Sequence, residues 1–243
     1  MTPFEILRTL AIPVLPVLQG RAHFDLRRLI RQGRSAKAIS LLDIGGRSSP
    51  YTTALAARVT LLDLPRENEI QEQLSLGVND EVLAKVRKRR SNIDRVIIED
   101  MCQTTLPDDS FDAAVAVEVI EHVPDDDGFL AQMARVIRPG GWAYLTTPNG
   151  EWVKHELNDN PDHLRHYTRD QLDALLQRHF SDVQVVYGVK TGKARWRGLR
   201  SFSLRHPIRL GVSMVSNLIN HWQSRGLDDT HRRTAHLIAI ARK

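Results

Sequence analysis

Seven short apolar runs, most of them ended by a glycine or a carboxylate, constrain this chain more than any other feature. Ser40-Leu41-Leu42-Asp43-Ile44 is halted by Gly45-Gly46, and Val59 to Leu62 ends at Asp63. Arg95 to Glu99, Ala113 to Val117 (ending at Glu118) and Trp142 to Thr146 follow, and Val183 to Tyr187 and His236 to Ile240 complete the set. Apolar runs of that length, bounded in that way, read as buried strands. Helical segments are expected between them. Pro50 to Arg58 opens on a proline, which a first helical turn tolerates. Asp80 to about Arg90 is a second segment, and Asp125 to Ile137 is a third, stopped by Pro139-Gly140-Gly141. Thr168 to Phe180 begins with a capping box of Thr168 and Gln171. Strands alternating with helices predict an α/β fold, Rossmann-like, with a mainly parallel sheet covered on both faces.

The 243 residues suit one large domain with an accessory element. Residues 1–38 read as a helix-rich N-terminal segment, in which Phe24, Leu26, Leu29 and Ile30 form an apolar face among arginines. Residues 39–243 carry the alternating pattern, interrupted by an insert at 190–234. The apolar run Leu10 to Leu18 is broken by Pro13 and Pro16 and is too short to span a bilayer, so it reads as a packing or surface-lying segment. The single cysteine, Cys102, makes no internal disulfide and belongs to no metal-ligand cluster in the sequence, so no metal is expected. A reducing, cytoplasmic setting follows as the expectation.

In an open α/β sheet, ligands bind beyond the carboxyl ends of the strands, where strand order reverses. The residues to inspect are therefore Asp43 to Tyr51, Asp63, Glu99-Asp100-Met101, Glu118, and Thr147-Pro148-Asn149. Acids at several strand ends suit a ligand with hydroxyls, amines or a positive charge. A carboxylate after the second strand can accept both hydroxyls of a ribose.

These segments, in this order, resemble the class I S-adenosylmethionine-dependent methyltransferases of small-molecule type. Leu41 to Gly46 is similar to the family's first motif, and Asp63 stands at its ribose-binding acid. Glu99-Asp100-Met101 with Leu106 to Asp112 resembles its adenine-side loop. Glu118 to Val123, Arg138 to Gly141 and His163 to Thr168 match further segments. The resemblance implies a seven-stranded sheet whose last strand is antiparallel, with S-adenosylmethionine as cofactor. It also implies roles by position. Gly45 and Gly46 admit the methionine part, Asp43 helps hold its amine, and Asp63 takes the ribose. Asp100 and Met101 frame the adenine, and Glu118 lines the methionine side. One departure stands in the glycine turn, where Arg47 and Ser49 occupy the family's second and third glycine positions. Glycine there permits positive φ and close approach of a ligand.

Methyl transfer to a hydroxyl needs a general base within reach of the proton, and His122, just past the fourth strand, is the candidate, followed by His163 and His166. Glu121 reads as a solvated residue at a helix start. The acceptor is expected to be a small molecule, glycan or lipid-linked compound, methylated at oxygen. Two other readings stay open: a nucleic-acid methyltransferase, and a non-catalytic scaffold that kept the fold. Against nucleic acid, the Asn/Asp-Pro-Pro-Tyr/Phe type sequence used for amino acceptors is missing, and Thr147-Pro148-Asn149-Gly150 follows the fifth strand instead.

The insert concentrates the charge. The net formal charge is +5, and Lys190, Lys193, Arg195, Arg197, Arg200, Arg205 and Arg209 occur without one acid among them, so the remainder carries −2. Such a stripe implies a local anionic partner, or a solvated loop. Trp196 and Phe202 within it offer stacking surfaces. Beyond it, Ile208, Val212, Val215, Ile219 and Trp222 recur at helical spacing. An apolar helix face beside arginines fits peripheral contact with a membrane surface, or a lid over a lipid-linked or anionic acceptor. Equally, the face can pack on the sheet or form a dimer contact.

Overall fold

The computed structural model describes residues 1–33, 38–46, 49–65, 80–152, 163–199 and 206–243. Seven strands form one sheet: β1 Ile39–Ile44, β2 Ala57–Asp63, β3 Ile93–Ile98, β4 Phe111–Val117, β5 Ile137–Pro148, β6 Asp182–Lys190 and β7 Thr234–Arg242. Their order is β3-β2-β1-β4-β5-β7-β6. Strands β1 to β5 pair in parallel, and β7 enters antiparallel between β5 and β6. This is the Rossmann-like sheet with an antiparallel last strand that the sequence led us to expect.

The pleat sorts the apolar side chains into two cores. Leu42 and Ile44 of β1 join one cluster, while Ile39 and Leu41 join the other. Ala114 and Ala116 separate in the same way from Ala113 and Val115 on β4, because successive side chains on a strand point to opposite faces. A strand buried on both faces reads as a continuous apolar run, which is why these strands were legible. The first core is covered by helices α4 (Asp126–Val136) and α5 (Arg169–Leu176). The second is covered by α2 (Val17–Gln32) and receives Val86 of α3 (Asp80–Arg89). Helix α1 (Pro3–Ala11) precedes a 3-10 turn at Ile12–Val14, and α6 (Lys193–Gly198) and α7 (Pro207–Gln223) lie between β6 and β7. In the N-terminal segment Leu26 and Leu29 are buried, whereas Phe24 is half exposed.

Two local expectations fail. Residues 51 to 54 form a turn in place of a helix, and β2 already begins at Ala57. The carbonyls that would accept the first helical bonds are taken by side chains: His23 lies 3.1 Å from the Tyr51 carbonyl and Asn92 donates to that of Thr52. Pro139-Gly140-Gly141 also lies inside β5, at a register shift against β4. Helix α5 stops at Leu176, but its capping box is complete, with Thr168 and Gln171 exchanging both bonds.

Candidate functional site

Strand order reverses between β1 and β4, so the carboxyl ends of those two strands and their neighbours form the ligand-binding edge. The backbone turns sharply after β1, with Gly45 at φ +70° and its amide donating to Leu62 O at 2.8 Å. A Cβ on Gly45 would meet Val119 at 3.0 Å. Beneath the turn, Asp43 is fully buried, and one oxygen accepts Ser49 Oγ at 2.7 Å and Thr52 Oγ1 at 2.5 Å. Its other oxygen is buried without a hydrogen-bond partner. Burial raises the Asp43 pKa, opposed by the guanidinium of Arg90, which also donates to Thr52 at 2.8 Å. Gly46 lies over this carboxylate so closely that a Cβ there would fall 2.1 Å from it. The sequence marked Ser49 as a lost glycine. Its hydroxyl instead helps hold Asp43, while Arg47 lies outside the described residues.

Asp63 ends β2, partly exposed, and accepts the Leu64 amide at 2.9 Å. After β3, Glu99 closes the next loop by accepting from the Thr104 hydroxyl and both the amide and hydroxyl of Thr105, and these bonds lower its pKa. Asp100 accepts the Cys102 amide at 2.9 Å. Met101, expected to frame an adenine, buries its side chain in the first core.

The residues after β4 are more constrained than the sequence suggested. Glu118 adopts φ +56°, accepts Thr146 Oγ1 at 2.8 Å, and lies 3.0 Å from His236 Nδ1. Desolvation pushes its pKa up, but His236, Thr146 and Arg195 outweigh it and lower it overall. His236 gave no local signal. It enters because β7 returns antiparallel, setting it opposite Pro148 on one side and Gly188 on the other. Glu121 is the clearest correction. It is completely buried, and neither carboxylate oxygen has a hydrogen-bond partner. Burial, and then the charge on Glu118, drive its pKa well above the usual carboxylate range.

His122 is exposed at the rim, its ring edge-on to His163 at 4.8 Å between centroids. His163 Nδ1 in turn lies 2.8 Å from His166 Nε2. The three candidate histidines are thus brought together. Glu121, His122 and His163 offer ligand atoms all within 4.8 Å of one another, a carboxylate-and-imidazole set of a kind that can hold a divalent cation, and one that the sequence reading did not register. Asn149 instead serves structure, donating to the Thr234 carbonyl and hydroxyl where β5 meets β7.

Residues 42–145 match the methyltransferase domain family. The glycine turn, the acid ending β2 and the strand order all fall within that stretch or the sheet it builds. Over that stretch the chain is similar to S-adenosylmethionine-dependent methyltransferases. A probable S-adenosylmethionine-dependent methyltransferase of Mycolicibacterium smegmatis is 31% identical over 135 residues, covering 55% of this chain and 51% of its own length. The mitochondrial ubiquinone biosynthesis O-methyltransferase of Homo sapiens is 29% identical over 128 residues, 51% of this chain and 33% of its own. The chain thus spans about half the length, or less, of the curated relatives it matches first. A methyltransferase from Archaeoglobus fulgidus shares the fold at TM-score 0.57 and 16% identity, covering 93% of this chain and 94% of its own. Phosphoethanolamine N-methyltransferase 2 of Haemonchus contortus, solved with S-adenosyl-L-methionine, matches at TM-score 0.54 and 16% identity, covering 90% of this chain and 52% of its own.

Proposed function

We propose that this domain binds S-adenosylmethionine at the carboxyl ends of β1 to β4 and methylates an oxygen of a small-molecule, glycan or lipid-linked acceptor. The observation that carries the reading is the β1 turn, where a buried acceptor on Asp43 lacks a partner and two glycines, Gly45 at φ +70° and Gly46 packed against the carboxylate, carry the backbone over it. An ammonium group suits that acceptor, and Asp63 at the next strand end suits a ribose diol. Asp100 and the Met101 backbone would border the adenine, and Glu118 the methionine side. The bonding of Ser49 to Asp43 supports a turn that works without its third glycine, and so speaks against the scaffold reading.

When bound, the cofactor supplies a methyl carbon already activated by a sulfonium, so the protein contributes mainly position and electrostatics. His122 would accept the acceptor's hydroxyl proton, with His163 and His166 alongside to stabilise the imidazolium. Burial, and then the charge on Glu118, raise the pKa of Glu121 beside them, which disfavours a second negative charge there.

Calorimetric titration with S-adenosylmethionine and S-adenosylhomocysteine, beside Asp63→Ala, tests this. Micromolar binding that weakens at least tenfold in the variant, about 1.4 kcal/mol, is the expected result. A folded wild type that binds neither ligand would sink the proposal.

A further inference from the structure

Helix α7 is assembled with its polarity reversed. Its inward face consists of Ser213, Ser216, Asn217 and Asn220. These side chains clip the helix to main-chain carbonyls: Asn217 donates to Val14 at 2.8 Å and to Gly198 at 3.1 Å, Asn220 to Lys190 at 2.8 Å, and Ser213 to Gly198 at 2.8 Å. Its outward face is apolar, with Ile208 83%, Trp222 68%, Val215 56% and Val212 47% exposed. A surface helix of a globular protein normally turns these faces the other way. Helix α1 repeats the arrangement: Glu5 is buried while Leu7 and Leu10 are 68% and 75% exposed, and α1 leads into the 3-10 turn whose Val14 carbonyl Asn217 grips. A patch of this kind marks an interaction surface.

Its charge selects the partner. No acidic residue occurs from Lys190 to Leu227. A groove of about 630 Å³ beside the end of α7 is lined by Trp152 and Trp222 together with Lys190, Lys193 and Arg233. In a two-fold dimer the same patch faces itself, so a second copy would set these cations against their own kind. An anionic bilayer covers the apolar stripe and neutralises the cations together, and tryptophan is at home at the headgroup level.

We propose that the outward face of α7 and this groove dock the domain on an anionic phospholipid bilayer, with Lys190, Lys193 and Arg233 on headgroup phosphates. The proposal stands on this surface and does not require methyl transfer. Helix α6 connects the surface to the site, because its Arg195 reaches to 3.4 Å from His236, the partner of Glu118.

The test is co-sedimentation of the full chain with vesicles of equal parts phosphatidylglycerol and phosphatidylcholine, and with phosphatidylcholine alone. Tryptophan emission and light scattering accompany it. Val215→Ser/Ile219→Ser and Lys190→Glu/Lys193→Glu change solvent-facing side chains, and circular dichroism checks that both variants fold. Wild type should bind the anionic vesicles at least tenfold more tightly than the neutral ones, with a blue-shifted emission that Trp222→Phe diminishes. Each double variant should bind the anionic vesicles at least tenfold more weakly. Absence of binding to either vesicle, equal binding to both, or unchanged binding by the variants overturns the proposal. So does a stable dimer that Val215→Ser/Ile219→Ser dissociates and that ignores vesicles, which would assign the stripe to a second copy. Calorimetry with the cofactor, run on the same samples, separates failure here from failure of the methyltransferase reading.

Discussion

Gly46→Ala should be the most informative single change in the β1 turn. The added Cβ would sit 2.1 Å from Cγ and Oδ1 of Asp43, where carbon atoms prefer about 3.5–4.0 Å. The carboxylate cannot swing aside freely, because Ser49 and Thr52 donate to it at 2.7 and 2.5 Å and Arg90 braces Thr52 from behind. Hydrogen bonds to a charged group contribute about 1.5–3 kcal/mol each. Losing both by displacement therefore costs at least about 3 kcal/mol. If the backbone yields instead, the turn opens and the cost falls on cofactor affinity. Urea unfolding and calorimetry on the same protein should together account for that amount. A double-mutant cycle locates the cause: in an Asp43→Ala background the obstruction is gone, so Gly46→Ala should then cost little, a coupling of at least about 2 kcal/mol. The reasoning fails if Gly46→Ala leaves both stability and affinity within about 0.5 kcal/mol of wild type, the spread of ordinary surface substitutions.

Glu121→Gln should stabilise the fold increasingly as pH rises. The folded-state pKa of Glu121 is raised, so its protonated form is favoured below the ordinary carboxyl pKa of about 4.3 and that contribution is lost as pH climbs toward the folded value. Melting temperatures of the two proteins should converge near pH 4 and separate toward pH 8, and parallel curves would show that Glu121 is not held neutral. Thr168→Ala removes the α5 cap and should cost about 0.5–2 kcal/mol, read by chemical denaturation. Asn217→Ala leaves the Val14 and Gly198 carbonyls short of a donor, so amide exchange across α7 should accelerate while the central strands keep their protection. His122→Ala should lower kcat on a hydroxyl acceptor by about 10²–10⁴-fold while S-adenosylhomocysteine affinity stays within threefold. An unchanged kcat removes His122 as the base.

Much of the candidate site was legible because it lies where strands end. Gly45, Asp63, Asp100 and Glu118 are marked locally, each a glycine or carboxylate at the end of an apolar run, with Asp43 one residue inside the first run, and the sheet sets them on one edge. Glu121 was misread as solvated because a residue just past a strand can turn toward solvent or toward the core. The 3-10 turn at Ile120–His122 sends Glu121 inward and His122 outward. His236 lies 118 positions from Glu118, and only the antiparallel insertion of β7 brings the two together.

What the sequence by itself determined was the set of strands and their two-sided burial, because apolar periodicity and chain-stopping residues act over a few positions and report directly on a buried strand. What only the tertiary structure decided was orientation. The apolar stripe of α7 was plain in the sequence, and packing against the sheet was one open destination for it. The carbonyls of Val14, Lys190 and Gly198 needed donors, however, and Asn217, Asn220 and Ser213 supply them. Buried main-chain acceptors must be paired, so the polar face went inward and the apolar face was left to meet whatever lies outside.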